Sequence, residues 1–97
     1  MAQAFRLPNS NALVRVVVPH LKSKSCRGAT GADRDQGDGQ GCYVQRRTRA
    51  AGAIADWLAG LPEQGAGAGT LITGDINSYT RETPLEVFRQ HGYSSMV

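Results

Sequence analysis

The feature that most constrains this chain is a long stretch with almost no apolar side chains. From Lys22 to Gly41 the residues are chiefly Ser, Gly, Asp, Arg and Gln. Such a stretch cannot supply a core. A structureless segment of about 20 residues is unusual in a compact domain, where it is usually functional or disordered. The core must therefore come from the two flanks, and the flanks carry different periodicities.

On the N-terminal side, residues 12–18, Ala-Leu-Val-Arg-Val-Val-Val, are β-branched and nearly continuous. That pattern predicts a strand buried on both faces. Pro8-Asn9-Ser10-Asn11 before it is strong turn chemistry, so Ala2 to Leu7 is expected to be the first arm of a hairpin. The strand should end near Pro19, which has no amide hydrogen for a ladder.

On the C-terminal side, residues 44–59 read as a helix. Val44, Ala51, Ile54, Ala55 and Leu58 recur at steps of three, four and seven and form one apolar stripe. Trp57 is expected to pack rather than stack on a ligand. Arg46, Arg47 and Arg49 lie toward the helix start, where cations oppose the dipole; a negatively charged partner or a solvated face accounts for them better. Gly60 to Gly69, with Pro62 and further glycines, is a flexible connection. Thr70-Leu71-Ile72-Thr73 then reads as a short buried strand ended by Gly74-Asp75. Strand, helix, strand favours a right-handed crossover onto a parallel neighbour. Thr83-Pro84-Leu85-Glu86 has the form of a capping box, with Thr83 as N-cap, and Gly92 is expected to end that helix in a left-handed conformation.

The fold class is therefore α/β: a β-hairpin, a long loop, a helix, a strand and a second helix. Two helices cannot easily cover both faces of a sheet, so the layer is incomplete.

Composition narrows the function classes. No apolar run approaches the roughly 20 residues of a membrane-spanning helix. The first residues, Met1 to Arg6, lack the basic segment and apolar core of a signal peptide. The 97 residues carry a formal net charge of +3 and a pI of about 9.2. That mild excess is compatible with a phosphate-bearing partner without requiring one. Cys26 and Cys42 are too few for a disulfide scaffold, and counting alone leaves open one bridge or two unrelated thiols. Asp33, Asp35 and Asp38 in the Gly-rich loop offer oxygen ligands for a hard cation. Their spacing is not that of an EF-hand, and a solvated loop is the better reading. His20, Cys26, Cys42 and His91 follow no zinc spacing.

In open α/β sheets functional groups gather at the C-terminal ends of strands. Here those ends present His20 on one strand and Asp75 with Asn77 on the next. A His able to move a proton, an Asp able to orient water or hold a metal, and an Asn able to bind a phosphate oxygen form a plausible constellation.

At these residues the chain resembles a known group. The blocks Val16-Val17-Val18-Pro19-His20-Leu21-Lys22-Ser23-Lys24, Asp35-Gln36-Gly37-Asp38-Gly39-Gln40-Gly41-Cys42 and Gly74-Asp75-Ile76-Asn77-Ser78-Tyr79 are similar to secreted bacterial nucleases. These nucleases belong to the endonuclease/exonuclease/phosphatase superfamily, the DNase I-like fold. The segments Arg47 to Leu58 and Glu82 to Tyr93 also match, so the resemblance covers nearly the whole chain. It implies a DNase I-like α/β sandwich, of which residues 1–97 would be a partial domain, central to C-terminal. It further implies metal-dependent hydrolysis of phosphodiester bonds, with DNA as substrate more readily than RNA. The metal would be Mg2+ first, with Ca2+ or Mn2+ as alternatives.

Position by position, the resemblance makes His20 the histidine that contacts the scissile phosphate. Asp75 becomes the aspartate that positions water and assists the metal, and Asn77 the asparagine that binds phosphate. Lys22, Lys24 and Arg47 become further phosphate contacts. Cys26 and Cys42 match a bridged pair that brackets the long loop in secreted members, which implies an oxidising, extracellular location. Two departures stand out. Pro19 and Val44 occupy positions where the family usually has Asn. The family's Asn and Glu metal ligands and its Asp-His pair have no counterpart in these residues, so the chain alone is expected to lack a complete active site. The alternative is a non-catalytic module that binds nucleic acid through Lys22, Lys24, Arg46, Arg47 and Arg49.

Overall fold

The computed structural model describes residues 2–6, 13–61, 69–79 and 81–95. The chain divides into two compact units. One comprises Met1–His20 with Leu61–Ile76, the other Leu21–Gly60 with Asn77–Val97.

The first unit is a three-stranded sheet. β1 (Ala2–Arg6) pairs antiparallel with β2 (Leu13–Val17), in a register running from Ala2 opposite Val17 to Arg6 opposite Leu13. β3 (Gly69–Ile72) pairs in parallel on the other edge of β2, from Val14 opposite Gly69 to Val17 opposite Ile72. The expected hairpin and parallel neighbour are both present. The turn expected at Pro8 to Asn11 and the connection through 62–68 lie outside the described residues.

The burial expected of these strands is not found. Val17 is 4% exposed, but Val14 and Val16 are only half-buried, and Phe5, Val18 and Leu71 are 49%, 45% and 40% exposed. The register and the two-residue period of a strand put Phe5, Val14, Val16 and Leu71 on one face. The reason is architectural. The described residues of this unit form a single sheet layer without a helix, and a β-branched sequence cannot bury itself without a second layer.

The second unit contains the long loop and both helices. α1 spans Val44–Ala59, the range expected from the sequence. α2 spans Thr83–Gln90 and packs on it. The buried residues of α1 are Arg47, Ala51, Ala55 and Leu58, at steps of four, four and three. The stripe therefore begins at Arg47; Val44 and Ile54 are half-buried and Trp57 is 52% exposed, against the packing expected of it. Small residues on α1 allow close approach of α2: a Cβ on Gly52 would sit 4.0 Å from Val87 Cγ1. Phe88, 4% exposed, supplies the large apolar group from α2.

α2 starts one residue earlier than its sequence pattern indicates. Glu82 is the N-cap, Thr83 the first helical residue, and no side-chain cap bond forms. Glu86 pairs instead with Arg89 at 3.0 Å. The Glu82 carboxylate is held by Lys24 Nζ, 2.6 Å from Oε1, and accepts the Tyr79 amide, which fixes the entry of the helix there. The helix end follows expectation. Gly92 has φ +93°, its amide donates to Arg89 O at 3.0 Å, and the Tyr93 amide donates to Phe88 O at 3.1 Å. This is a Schellman motif, and its hydrophobic contact is the edge-on pair of Phe88 and Tyr93, with ring centres 6.2 Å apart.

The loop is ordered without an apolar interior. Cys26 and Cys42 form a disulfide. Gly31–Asp33 makes one 3-10 turn. Asp35 Oδ1 accepts the Gly37 amide at 2.8 Å, and Asp38 Oδ1 accepts the Gln40 amide at 3.0 Å. The carboxylates thus serve their own turns. Gly41 has φ +74°, and a Cβ there would lie 3.1 Å from Lys24 Cβ, so this close crossing of the two loop arms requires glycine.

Candidate functional site

The strand ends of the first unit bring His20 and Asp75 together from 55 positions apart in sequence (75 − 20). The two residues form an isolated parallel bridge beyond β2 and β3. The pairing continues through the Thr73 amide, which donates to Val17 O at 2.9 Å. Gly74 makes this approach possible. Its φ is +142°, and a Cβ there would stand 2.5 Å from Pro19 O. The glycine of the Gly-Asp-x-Asn motif thus has a steric reason, and Pro19 does not prevent the bridge at His20. His20 Nε2 lies 3.7 Å from Asp75 Oδ2, with the side chains 79% and 62% exposed. A ring nitrogen and a carboxylate at that spacing, longer than a direct hydrogen bond and open to solvent, can flank a bound oxygen.

Asn77 opens the second unit. It adopts the left-handed conformation, φ +51°, which Asn tolerates better than most residues. Its Nδ2 donates to Leu21 O at 2.8 Å, so the amide ties together the two segments that enter this unit.

The cations expected to meet phosphate are engaged within the second unit. Lys22 Nζ sits 4.3 Å from the centre of the Tyr43 ring. Lys24 Nζ lies 4.2 Å from the Tyr79 ring and pairs with Glu82. Arg47 departs furthest from its expected role, since it is 0% exposed. Its Nε donates to Ser78 Oγ at 3.1 Å. NH1 donates to Cys42 O at 2.6 Å and Ser23 O at 3.4 Å, and NH2 to Gln40 O at 2.8 Å. Burial pushes its pKa down from the ordinary guanidinium value, while Glu82 and Asp38 oppose that shift. A guanidinium enclosed this way organises a loop rather than contacting a ligand.

Arg46 and Arg49 remain exposed. They border a polar cleft of about 180 Å³ with Thr30, Ala32, Asp33 and Gln45, and Arg46 reaches Asp33 at 3.4 Å.

The described residues do not form a cage for a divalent cation. Among the described residues no three His, Cys, Asp or Glu side chains converge. Asp75 offers one hard oxygen ligand, and the imidazole beside it is a poor partner for Mg2+. Among the described residues no helix is long and apolar enough to cross a membrane. The disulfide is compatible with an oxidising, extracellular setting.

Three structural residues were missed at the sequence level. Tyr43 caps α1 with φ +61°, and its hydroxyl donates to Arg27 O at 2.6 Å. Glu82 anchors the start of α2, and Gln40 Oε1 accepts the Thr83 amide at 2.8 Å. No local pattern marks these three, whereas the burial of Arg47 is signalled by its spacing to Ala51, Ala55 and Leu58. Comparison with protein-family models, with curated proteins and with solved structures gave no match. The class that fold and site define is thus a small α/β chain with an exposed His-Asp pair at its strand ends.

Proposed function

We propose that this chain is part of a phosphodiesterase, an extracellular endonuclease acting on DNA, and that its exposed strand ends receive the phosphodiester. The observation that carries this reading is the meeting of His20 and Asp75 at 3.7 Å. In this reading His20 donates to or accepts a proton from the phosphate edge, and Asp75 orients water. Asn77 contributes through the backbone it holds. The metal implied by the resemblance needs ligands beyond Asp75.

The alternative, a purely nucleic-acid-binding module, draws less support. Of its five expected cations, Lys24 and Arg46 face carboxylates and Arg47 is buried.

The test is a titration of the 15N-labelled chain with a short DNA duplex at low salt, read by NMR. Binding centred on His20 and Asp75, weakened by salt and abolished in His20→Ala, is expected. Shifts confined to Arg46 and Arg49, with His20 and Asp75 unmoved, would instead establish the binding module.

A further inference from the structure

The disulfide and the buried arginine lie on the same few atoms. Cys42 is 1% exposed and bonded through its sulfur to Cys26, while its carbonyl accepts from Arg47 NH1 at 2.6 Å. The remaining carbonyl acceptors bracket the bridge: Ser23 lies before Cys26, and Gln40 lies just before Cys42. The Cys42 amide also donates to Lys24 O at 3.1 Å, closing the two arms. Arg47 sits on the stripe of α1 that faces the interior of its unit. A fully buried guanidinium is tolerated only while its carbonyls stay in place, because an unpaired buried charge is strongly destabilising. Few apolar side chains of the loop itself are buried, so the carbonyls are held there by the bridge and by polar ties, among them Lys24 to Glu82, the Tyr43 hydroxyl to Arg27 O and the Thr83 amide to Gln40 Oε1.

We infer that the Cys26–Cys42 bond is a redox latch on the helical unit, with Arg47 as the element it locks. The chemistry is thiol–disulfide exchange with a dithiol reductant. A thiolate of the dithiol attacks Cys26 Sγ, since Cys26 is exposed and Cys42 is not. The Cys26–Cys42 bond breaks, Cys42 leaves as thiolate and takes a proton, and a mixed disulfide forms on Cys26. The second thiolate of the reductant displaces Cys26, which takes the second proton. Two electrons pass to the protein, and the reductant becomes a disulfide. The loop arms then separate, the Ser23, Gln40 and Cys42 carbonyls leave Arg47, and the buried charge drives α1 off its partner. In a reducing compartment the helical unit stays open; oxidation closes it.

The test is hydrogen exchange on the intact chain, oxidised and after treatment with dithiothreitol, in wild type and Arg47→Met. Reduction of the wild type should speed exchange of the α1 amides by at least tenfold, order of magnitude. In oxidised Arg47→Met those amides should already exchange fast, and reduction should add less than about threefold, because one lock cannot be opened twice. Limiting reduced glutathione, a monothiol whose mixed disulfide persists, followed by acid quench and peptide mapping, should locate the mixed disulfide on Cys26. Unchanged α1 exchange after complete reduction of the wild type would overturn the proposal. So would effects of reduction and substitution that simply multiply. Should Arg47→Met not fold even when oxidised, Arg47→Lys replaces it in the same cycle, with the same two outcomes.

Discussion

The two units solve opposite problems. The helical unit has almost no apolar loop residues, yet it closes around Tyr43, Ala51, Leu58 and Phe88, with a fully buried arginine and a disulfide. The sheet unit is rich in β-branched residues, yet Phe5, Val18 and Leu71 stay substantially exposed. Apolar composition therefore does not by itself decide which region is closed; the availability of a second layer or a polar keystone does. The exposed side chains suited to chemistry, His20 and Asp75, belong to the less buried unit, where steric fit at Gly74 holds them together.

The sharpest way to break this contrast is to remove the keystone. Arg47→Met keeps the volume and removes the charge, but it orphans the Ser23, Cys42 and Gln40 carbonyls. A loss of about 3–5 kcal/mol is expected, as for other buried polar networks broken on one side. Urea unfolding followed by far-UV circular dichroism measures it. A loss below about 1 kcal/mol would show that the loop, not the arginine, closes this unit. Separately, the bridge itself is worth about 3 kcal/mol in the chain-entropy account for a loop of this size.

A smaller effect is expected in the sheet unit. Gly74→Ala places a methyl against Pro19 O and leaves a non-glycine residue at φ +142°. The cost should be about 1–3 kcal/mol, with the strand ends spreading. The separation of His20 from Asp75, followed by nuclear Overhauser contacts between the two residues, should increase. An unperturbed pair would mean that the backbone bridge, not the glycine, sets the site.

How much of this was legible in the sequence differs between the units for a physical reason. Local patterns carried α1, the hairpin, the parallel strand and the left-handed Gly92, because each depends on period or on one backbone conformation. Thr83 misled because its neighbour Glu82 is fixed by Lys24, 58 positions away, and no local pattern reports a contact of that range. Arg47 misled for the same reason. A lone arginine near a helix start reads as a solvated cation until the carbonyls that enclose it are known. The meeting of His20 with Asp75 was legible as adjacent strand ends, whereas the engagement of Lys22 and Lys24 with tyrosine rings was not. Trp57, left exposed, shows that a stripe assigned by spacing constrains its own members better than their neighbours.

The smallest effect concerns the seam between the helices, and its sign follows from hydrogen-bond stoichiometry. His91 ends α2 with Nδ1 2.9 Å from Val87 O and Nε2 3.3 Å from Asp56 Oδ1 on α1. Both partners are acceptors. A neutral imidazole has one N–H and can satisfy one of them; the imidazolium satisfies both. The Val87 carbonyl accordingly raises the His91 pKa above its ordinary value; desolvation opposes it, and the Asp56 carboxylate adds to the rise. A group whose pKa is higher folded than unfolded stabilises fully below the unfolded value, about 6.5, and loses that contribution as pH rises through the folded one. Unfolding midpoints in urea should therefore fall modestly between about pH 5.5 and about pH 8.5, and the difference between wild type and His91→Gln isolates this group from other titrations. Because the Asp56 side chain is 80% exposed, added salt should shrink the part of the slope that comes from charge and spare the part that comes from Val87. A wild-type slope identical to that of His91→Gln would show that the seam is held by Phe88 and the alanine stripe alone.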